Sequence, residues 1–466
     1  MKKYGIIGAI IVSFVMIGIV GWKLFSGKND DLSTSLPKDA AMMGRIDFRE
    51  LASQYGMNAD EAGKMMNKLL WYSSEEIDGI DYIRQAYVFA SQGYFGGIIP
   101  LQNADKFVDF VQHSRTCEVE SQRGMRWIKN AYPGMLIGVA DDRAIVMGPA
   151  VGSELDNLRN TIAKLIKQDA DESGSQNEIF ELMCTRTEPI VLSGSLEALP
   201  AQYLPSVFTK YINIPSINMT AGIKLEKNCM SLAMSLSSKD AKTTELLNRI
   251  DKMLRPIQGN LLDKTLSKPA IHIEAGINGA KLLEMLRSIP QIRTKLILVN
   301  TLFDADLILR NIDGDVAVSA STSLFEHPIY LFQAQMSDTE FSERVNSWND
   351  DITRLAGIRF VANDNKRGRV EWKGEETIFY AVSDDVLRLS LNQNVTNASA
   401  FNDIDYAWKN DMLKCKVYAT MEASQLTMLQ GLPFNIERIV LSATGINEWK
   451  LEFVGEDILG KIFDNN

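Results

Sequence analysis

The chain has 466 residues, of which 49 are Lys or Arg and 59 Asp or Glu, for a net charge of -10 at pH 7. A 45% hydrophobic and 23% charged composition is that of a folded protein large enough for several domains, not of a disordered tail. The acidic balance, with no Lys/Arg-rich block, argues against nucleic acid as a partner, because neutralising phosphates needs a basic footprint.

The first feature along the chain is Tyr4 to Trp22, YGIIGAIIVSFVMIGIVGW, which carries no charge and is bracketed by Lys2 and Lys3 on one side and Lys23 and Lys28 on the other. As a helix it would span roughly 28 Å, about the hydrocarbon thickness of a bilayer, with Tyr4 and Trp22 at the two interfaces. The run is long for a signal peptide, bulky Trp22, Leu24 and Phe25 occupy the exit, and Ser26-Gly27-Lys28 is a poor cleavage site. Residues 1–28 are therefore expected to be an uncleaved signal-anchor, with the lipid bilayer as partner through residues 4–22; a cleaved signal peptide is the alternative. The slight excess of positive charge ahead of the span places the body outside the cytoplasm. The expectation is a single-pass protein of a bacterial inner membrane with a periplasmic or extracytoplasmic body.

Residues 29–37 read as a polar linker, and residues 38–256 as a first lobe. Ala40–Ile46 has the pattern of a strand, and Asp47 precedes Phe48-Arg49-Glu50-Leu51 as in a capping box. A helix is expected over Ala59–Tyr72, then strands over Gln85–Ser91 and Tyr94–Leu101, and a helix over Ala104–Gln112 with Phe107, Val108 and Val111 on one side. Cys117–Ser121, Met125–Lys129, Met135–Val139 and Ala144–Gly148 read as a meander, with Asp141-Asp142 as its last turn. A helix begins at Ser153, whose S-x-x-D pattern suggests a cap, and Asp169–Asn177 is a solvated linker. Strands at Ile190–Ser193, Met219–Leu225 and Met230–Leu236 and a helix over Thr243–Leu254 complete the lobe.

Residues 257–466 read as a second lobe in which the order starts again. Ala270–Ala275 is a strand and Ala280–Leu286 a helix. Leu307–Ile312 and Val316–Ala320 are expected to form a hairpin across Asp313-Gly314-Asp315. Tyr330–Gln335 is a strand, Thr339–Trp348 a helix, and Val370–Trp372, Thr377–Val382 and Leu387–Asn392 a meander turning at Asp384-Asp385. Lys416–Met421, Ala423–Leu429, Ile436–Thr444 and Trp449–Val454 follow as strand, helix, strand and strand. Paired landmarks (Asp141 with Asp384, Trp127 with Trp372, Phe107 with Phe341) keep one order at slowly drifting offsets, as loop insertions would leave a duplicated unit. The expected fold class is α+β: an N-terminal transmembrane helix followed by two tandemly duplicated lobes of antiparallel sheets with helices on one face.

Ser35-Leu-Pro-Lys-Asp-Ala40 leading into strand and Asp47, together with Ile312-Asp-Gly-Asp-Val316, resembles an uncharacterised bacterial envelope family, a domain-of-unknown-function group of Bacteroidota-type bacteria. The resemblance spans nearly all of residues 32 to 466 and implies an exported, membrane-tethered body. It brings no catalytic residues. Members often look lipid-anchored, whereas this chain has no cysteine before Cys117.

No constellation for chemistry stands out. His113, His272 and His327 lack metal-site spacing and read as surface or satisfied core histidines. Asp304-Ala-Asp306 with Asp313-Gly-Asp315 lacks the ligand pattern of an EF-hand. Asp141-Asp142 and Asp384-Asp385 fall at turn tips, where nothing would desolvate them. Gly93-Tyr-Phe-Gly-Gly97 has no phosphate-loop lysine, and Ser193-Gly-Ser195 misses G-x-S-x-G. Cys117, Cys184, Cys229 and Cys415 have no CxxC spacing. No catalytic, cofactor-binding or metal residues and no cofactor are therefore assigned. The expected function is a membrane-tethered, non-enzymatic binding or scaffold protein for an unknown envelope protein or ligand; the alternatives are a structural subunit of an envelope complex and a carboxylate-based hydrolase.

Overall fold

The computed structural model describes residues 32–47, 49–50, 79–122, 124–198, 214–262, 266, 269–320, 329–349, 351–373, 377–394, 408–423 and 436–458. The chain forms two compact units, residues 1–239 with 431–435 and 456–466, and residues 240–430 with 436–455.

In the first unit the described strands are β1 (Met42–Ile46), β2 (Ala86–Ser91), β3 (Tyr94–Pro100), β4 (Glu118–Gln122), β5 (Met125–Lys129), β6 (Leu136–Val139), β7 (Arg143–Gly148), β8 (Ile190–Ser195), β9 (Ile217–Glu226) and β10 (Cys229–Ser238). All pairings are antiparallel, in the order β10-β9-β8-β1-β2-β3-β7-β6-β5-β4. The β2–β3 turn is a two-residue loop with positive φ at both Gln92 and Gly93, the geometry that matches strand twist.

Side-chain alternation gives this sheet two apolar faces. On one, helix α1 (Ala104–Ser114), capped by Asn103 Oδ1 accepting from Lys106 N at 3.0 Å, lays Phe107, Val108 and Val111 over Ile99, Ile128 and Ile137. On the other, α2 (Glu154–Lys167) lays Leu158, Ile162 and Leu165 over Trp127, Leu136 and Ile145, joined by Ile179 and Met183 of α3 (Glu178–Cys184). Each such apolar side chain contributes about 1.5–3 kcal/mol by burial. Gly138 makes the second face possible: a Cβ there would meet Ile162 Cγ2 at 2.5 Å and Trp127 Cζ3 at 3.0 Å. Ser153 makes no side-chain cap to α2, contrary to its S-x-x-D pattern.

The second unit opens with α4 (Ala241–Met253) and a two-residue strand at Leu254–Arg255. Its other strands are β11 (Ile271–Asn278), β12 (Ile312–Ala320), β13 (Tyr330–Met336), β14 (Ile358–Ala362), β15 (Arg367–Trp372), β16 (Ile378–Ser383), β17 (Val386–Ser390), β18 (Val417–Glu422), β19 (Ile436–Gly445) and β20 (Glu448–Gly455). Their order is β20-β19-β18-β11-β12-β13-β17-β16-β15-β14, strand for strand the order of the first unit. Helices α5 (Gly279–Ser288), α6 (Pro290–Asn300) and α7 (Ala305–Asn311) connect β11 to β12, and α8 (Phe341–Arg344) and α9 (Asp351–Leu355) connect β13 to β14. One face of this sheet carries an apolar core of Ala334, Met336, Phe360, Tyr380 and Val382 under Phe341, Val345 and Ile308.

Several expectations need correction. Among the described residues no helix is long and apolar enough to cross a membrane. This finding goes against the expected N-terminal transmembrane helix, signal-anchor and single-pass inner-membrane location; residues 4–22, on which they rested, lie outside the described residues. The expected helices at 59–72 and 423–429 also fall on undescribed positions, apart from Ala423. Helices cover both faces of the first unit's sheet rather than one, because both sets of alternating side chains are apolar. Residues 305–311 form a helix, capped by Asp304 Oδ1 at 3.1 Å from Leu307 N, instead of a strand. Asp313-Gly314-Asp315 is no hairpin turn but lies inside continuous β12, its extra length absorbed as a register shift between Ile312 and Val316. Trp127 is 2% exposed and pairs with Gly138, while Trp372 is 55% exposed at the far end of β15 beside Ile358. The two tryptophans occupy unlike surroundings and are not counterparts.

Candidate functional site

The second face of the second unit's sheet differs in kind. Cross-strand neighbours share a face, so the register strings together Thr420, His272, Ser319, Leu331 and Ser390 in one row. Tyr418, Glu274, Ala317, Gln333 and Arg388 form the next. Both rows are buried. In the first unit Met43 stands as far ahead of the helix cap Asp47 as Glu274 stands ahead of the cap Asn278. The row through Met43 reads Phe89, Gly96, Met147 and Leu136. Where one unit has a hydrophobic core, the other has histidine, carboxylates, glutamine and arginine.

These groups are joined. Ser319 Oγ lies 2.9 Å from His272 Nδ1, and His272 Nε2 lies 2.9 Å from Glu274 Oε2. Both His272 and Glu274 are 0% exposed. The Trp408 ring stacks on the imidazole at 5.2 Å and on the Tyr418 ring at 5.6 Å. Burial raises the Glu274 carboxyl above the ordinary glutamate range; His272 opposes this, and the neighbouring Asp315 carboxylate adds to it. Glu274 Oε1 is enclosed without a hydrogen-bond partner. Asp315 accepts from the backbone N–H of Gln258 at 2.9 Å, Gly259 at 2.7 Å and Asn260 at 3.2 Å, and its own N–H donates to Gln335 Oε1 at 2.7 Å. Burial lowers the Arg388 guanidinium, with Asp384 opposing; its Nη1 donates to Ser383 Oγ at 2.5 Å.

The segment 257–262 lies over this face. Leu261 packs on Ala317 and Val386, and Ile257 and Leu262 pack with Trp408, Met412, Cys415 and Tyr418. Ile257 N donates to Cys415 O at 2.9 Å. Beyond this cover the same face runs to the β14–β15 edge, where Arg359, Arg367, Arg369 and Glu371 lie on it at alternate positions.

A serine, a histidine and a glutamate in series invite comparison with a hydrolytic triad, but the connectivity is inverted. In the triad the serine bonds Nε2 and the carboxylate bonds Nδ1. Here Ser319 bonds Nδ1 and is 1% exposed, so its oxygen is not presented to a substrate. The arrangement can hold a proton and fix the covering segment.

The residues singled out by sequence are dispersed. His113 sits at the end of α1 with Nδ1 2.6 Å from Asp109 O, and His327 lies outside the described residues. Asp306 pairs with Arg287 and Asp313 with Arg255. Asp142 is not a free turn-tip carboxylate: Arg143 holds it at 2.7 Å and buried Arg84 at 3.4 Å. Asp384 and Asp385 both adopt positive φ in their hairpin turn. Ser193 shares a hydrogen bond with Thr220 at 3.0 Å inside the first unit. No disulfide joins the four cysteines, and among the described residues no cluster could hold a metal ion. The signal for the cluster was present as His-x-Glu on β11 and Asp-x-x-x-Ser on β12, same-face spacings that only the strand register brings together.

Fold and site define a protein of two like-ordered antiparallel units, one with two apolar faces and one with an enclosed polar face. Residues 33–436 match the family described as Domain of unknown function (DUF4836), and the chain belongs to that family. No curated protein matches it. Among solved structures it is similar to crystal forms IV and III of TP0453, at 13% and 12% identity, each covering 48% of this chain and 85% and 88% of theirs, both with a TM-score of 0.29. Crystal form I of TP0453 matches at 12% identity over 49% of this chain and 88% of its own, with a TM-score of 0.28.

Proposed function

We propose that the protein is a non-enzymatic binding or scaffold protein, built from two copies of one fold, and that the polar face of its second unit is the recognition surface. The observation that carries this reading is the exchange of non-polar for polar residues at corresponding ladder positions, Met43, Gly96 and Met147 along one row of the first unit against Glu274, Gln333 and Arg388 along the matching row of the second. Burying polar groups costs free energy that an apolar core would avoid, so a cluster of them is more often kept for function than for stability. The inverted Ser-His-Glu order and its enclosure speak against the hydrolase alternative. At the β14–β15 edge of the same face, Arg367 and Arg369 offer the first contacts to a partner with complementary acidic groups.

The test is site-specific photocrosslinking in the native host. A photoreactive residue replaces Arg367 on the polar face or Glu118, which lies at the edge strand of the first unit on the row that includes Met43. A discrete adduct at position 367 and none at 118 is the expected outcome. Equal labelling at both positions would remove the polar face from the recognition role.

A further inference from the structure

We propose that the Ser319–His272–Glu274–Asp315 chain is a proton-controlled latch that holds segment 257–262 over the polar face, closed while Glu274 is protonated and released when it loses that proton. This rests on the reading of that face as the recognition surface and names its regulation.

Glu274 Oε1 is enclosed and accepts nothing, a costly state for an ionised carboxylate. One proton on Oε1, directed at the adjacent Asp315 carboxylate, removes the cost and gives every group in the chain a consistent donor direction. Ser319 O–H donates to His272 Nδ1, Nε2–H donates to Glu274 Oε2, Oε1–H donates to Asp315, and Asp315 accepts the three backbone N–H groups of residues 258–260. The His272 tautomer is the one this order requires. Burial and the Asp315 charge both act to keep that proton in place, with His272 opposing them.

The covering segment is shaped for this clamp. Gly259 has φ +76, and a Cβ at that position would meet Leu413 Cδ2 at 2.8 Å. Segment 257–262 carries no charged side chain of its own. Its hold on the sheet is therefore the Asp315 clamp, the Ile257 N–Cys415 O bond and the packing of Leu261 and Leu262.

The other titratable and charged groups on elements packed here include Arg438 of β19 and Glu452 of β20, which act on Tyr418 from its far side. Tyr418 on β18 faces Glu274 and is held protonated by burial. Arg388 on β17 lies beyond Gln333 on the same row. Asp411 and Cys415 flank the Trp408 side, with burial raising the Cys415 thiol. At the segment's entry Arg255 pairs with Asp313. None stands between Glu274 and Asp315 to neutralise a second negative charge. Loss of the Glu274 proton would set two enclosed carboxylates against each other, and the one that can escape is Asp315 through release of the segment.

The sign follows. Glu274 has a folded-state value raised above the ordinary 4.5, so the latch is fully present below that value and is lost as pH rises through the folded value. Hydrogen–deuterium exchange of the full chain without ligand, expressed as protection factors so that intrinsic pH effects cancel, reads it directly. In the wild type the protection of residues 257–262 should fall at least tenfold with rising pH while α1 and β5 stay constant. Glu274→Gln keeps an acceptor for Nε2–H and puts a permanent donor toward Asp315, so it should hold the segment protected at every pH. A flat wild-type profile, or a Gln variant that opens with the wild type, overturns the latch.

Should the Gln variant unfold the second unit, infrared spectroscopy of the wild type decides. A protonated carboxylic acid band must disappear over the same pH range in which the segment opens, and its absence when the segment is closed overturns the proposal. Because no ligand enters these measurements, their failure leaves the recognition reading standing, while equal photocrosslinking with a working latch would remove only that reading.

Discussion

His272 Nε2 lies 2.9 Å from Glu274 Oε2, two positions along one strand, with neither side chain reaching solvent. Each offsets part of the cost of burying the other, which makes the pair more sensitive to losing one member than to losing both. His272→Leu should destabilise the second unit by about 1–3 kcal/mol, because the enclosed Glu274 carboxyl loses its imidazole partner. The double variant His272→Leu with Glu274→Met should recover part of that loss, as apolar replacement of a buried polar pair often does. Urea unfolding followed by exchange of β11 and β12 amides measures both; additive losses would show that the two side chains do not act as a unit.

The two tryptophans give a second expectation. Trp127 lies in the core beneath Arg159, whose guanidinium carbon stands 5.4 Å from the ring, whereas Trp372 is half in solvent. Trp127→Ala should cost about 3–5 kcal/mol by leaving a cavity under α2. Trp372→Ala, an exposed strand-end position, should cost less than about 1 kcal/mol. Similar losses in denaturant midpoint would contradict the asymmetry.

Acid should loosen the first unit through Asp142. Burial alone would raise this carboxyl, but the guanidinium groups of Arg143 and Arg84 outweigh it and hold the group below its usual value of 3.8. A depressed folded-state value means stability that is present above the unfolded value and lost as pH falls through the folded one. Asp142→Asn should lower stability at neutral pH and flatten its fall below about pH 4, as read by thermal melts across pH. An unchanged acid limb would assign the loss to other carboxylates of this unit, of which Glu188 is also held low, by Arg186, once burial is outweighed.

Much of the strand content was legible in the sequence because alternation and two-residue turns are local. Met125–Lys129 and the Asp141 and Asp384 turns fall where the pattern put them. Asp-Gly-Asp at 313–315 was misleading because a turn-like composition also suits a bulge in a continuous strand, and the apolar stretch before it, 307–309, fits a short helix as well as a strand. β14 went unread because Ile358–Ala362 is short and followed by a polar turn. The polar cluster could not be found from spacing: His272 and Ser319 are far apart in the chain and meet only through the β11–β12 register. Glycine 138 shows the same limit, since its value lies in the approach of Ile162 and Trp127 from other elements.

The last expectation concerns an edge. β14 pairs with β15 on one side, and on the other Asn349 takes the place of a neighbouring strand. Its Oδ1 accepts from Phe360 N at 2.8 Å and its Nδ2 donates to Phe360 O at 2.6 Å, a pair of bonds of the kind a partner strand would make. Exposed edges invite pairing with other chains, and a side chain that occupies the central backbone groups of a short edge is one way to prevent it. Asn349→Ala removes both bonds together and leaves Phe360 free to template. The variant should lose about 1–2 kcal/mol of stability, from two hydrogen bonds at a partly buried site. It should also self-associate in a concentration-dependent way that sedimentation velocity resolves. Asn349→Asp keeps the acceptor for Phe360 N but loses the donor, so it should associate less than the alanine variant. If Asn349→Ala stays as monodisperse as the wild type at high concentration, then something other than Asn349 guards this edge.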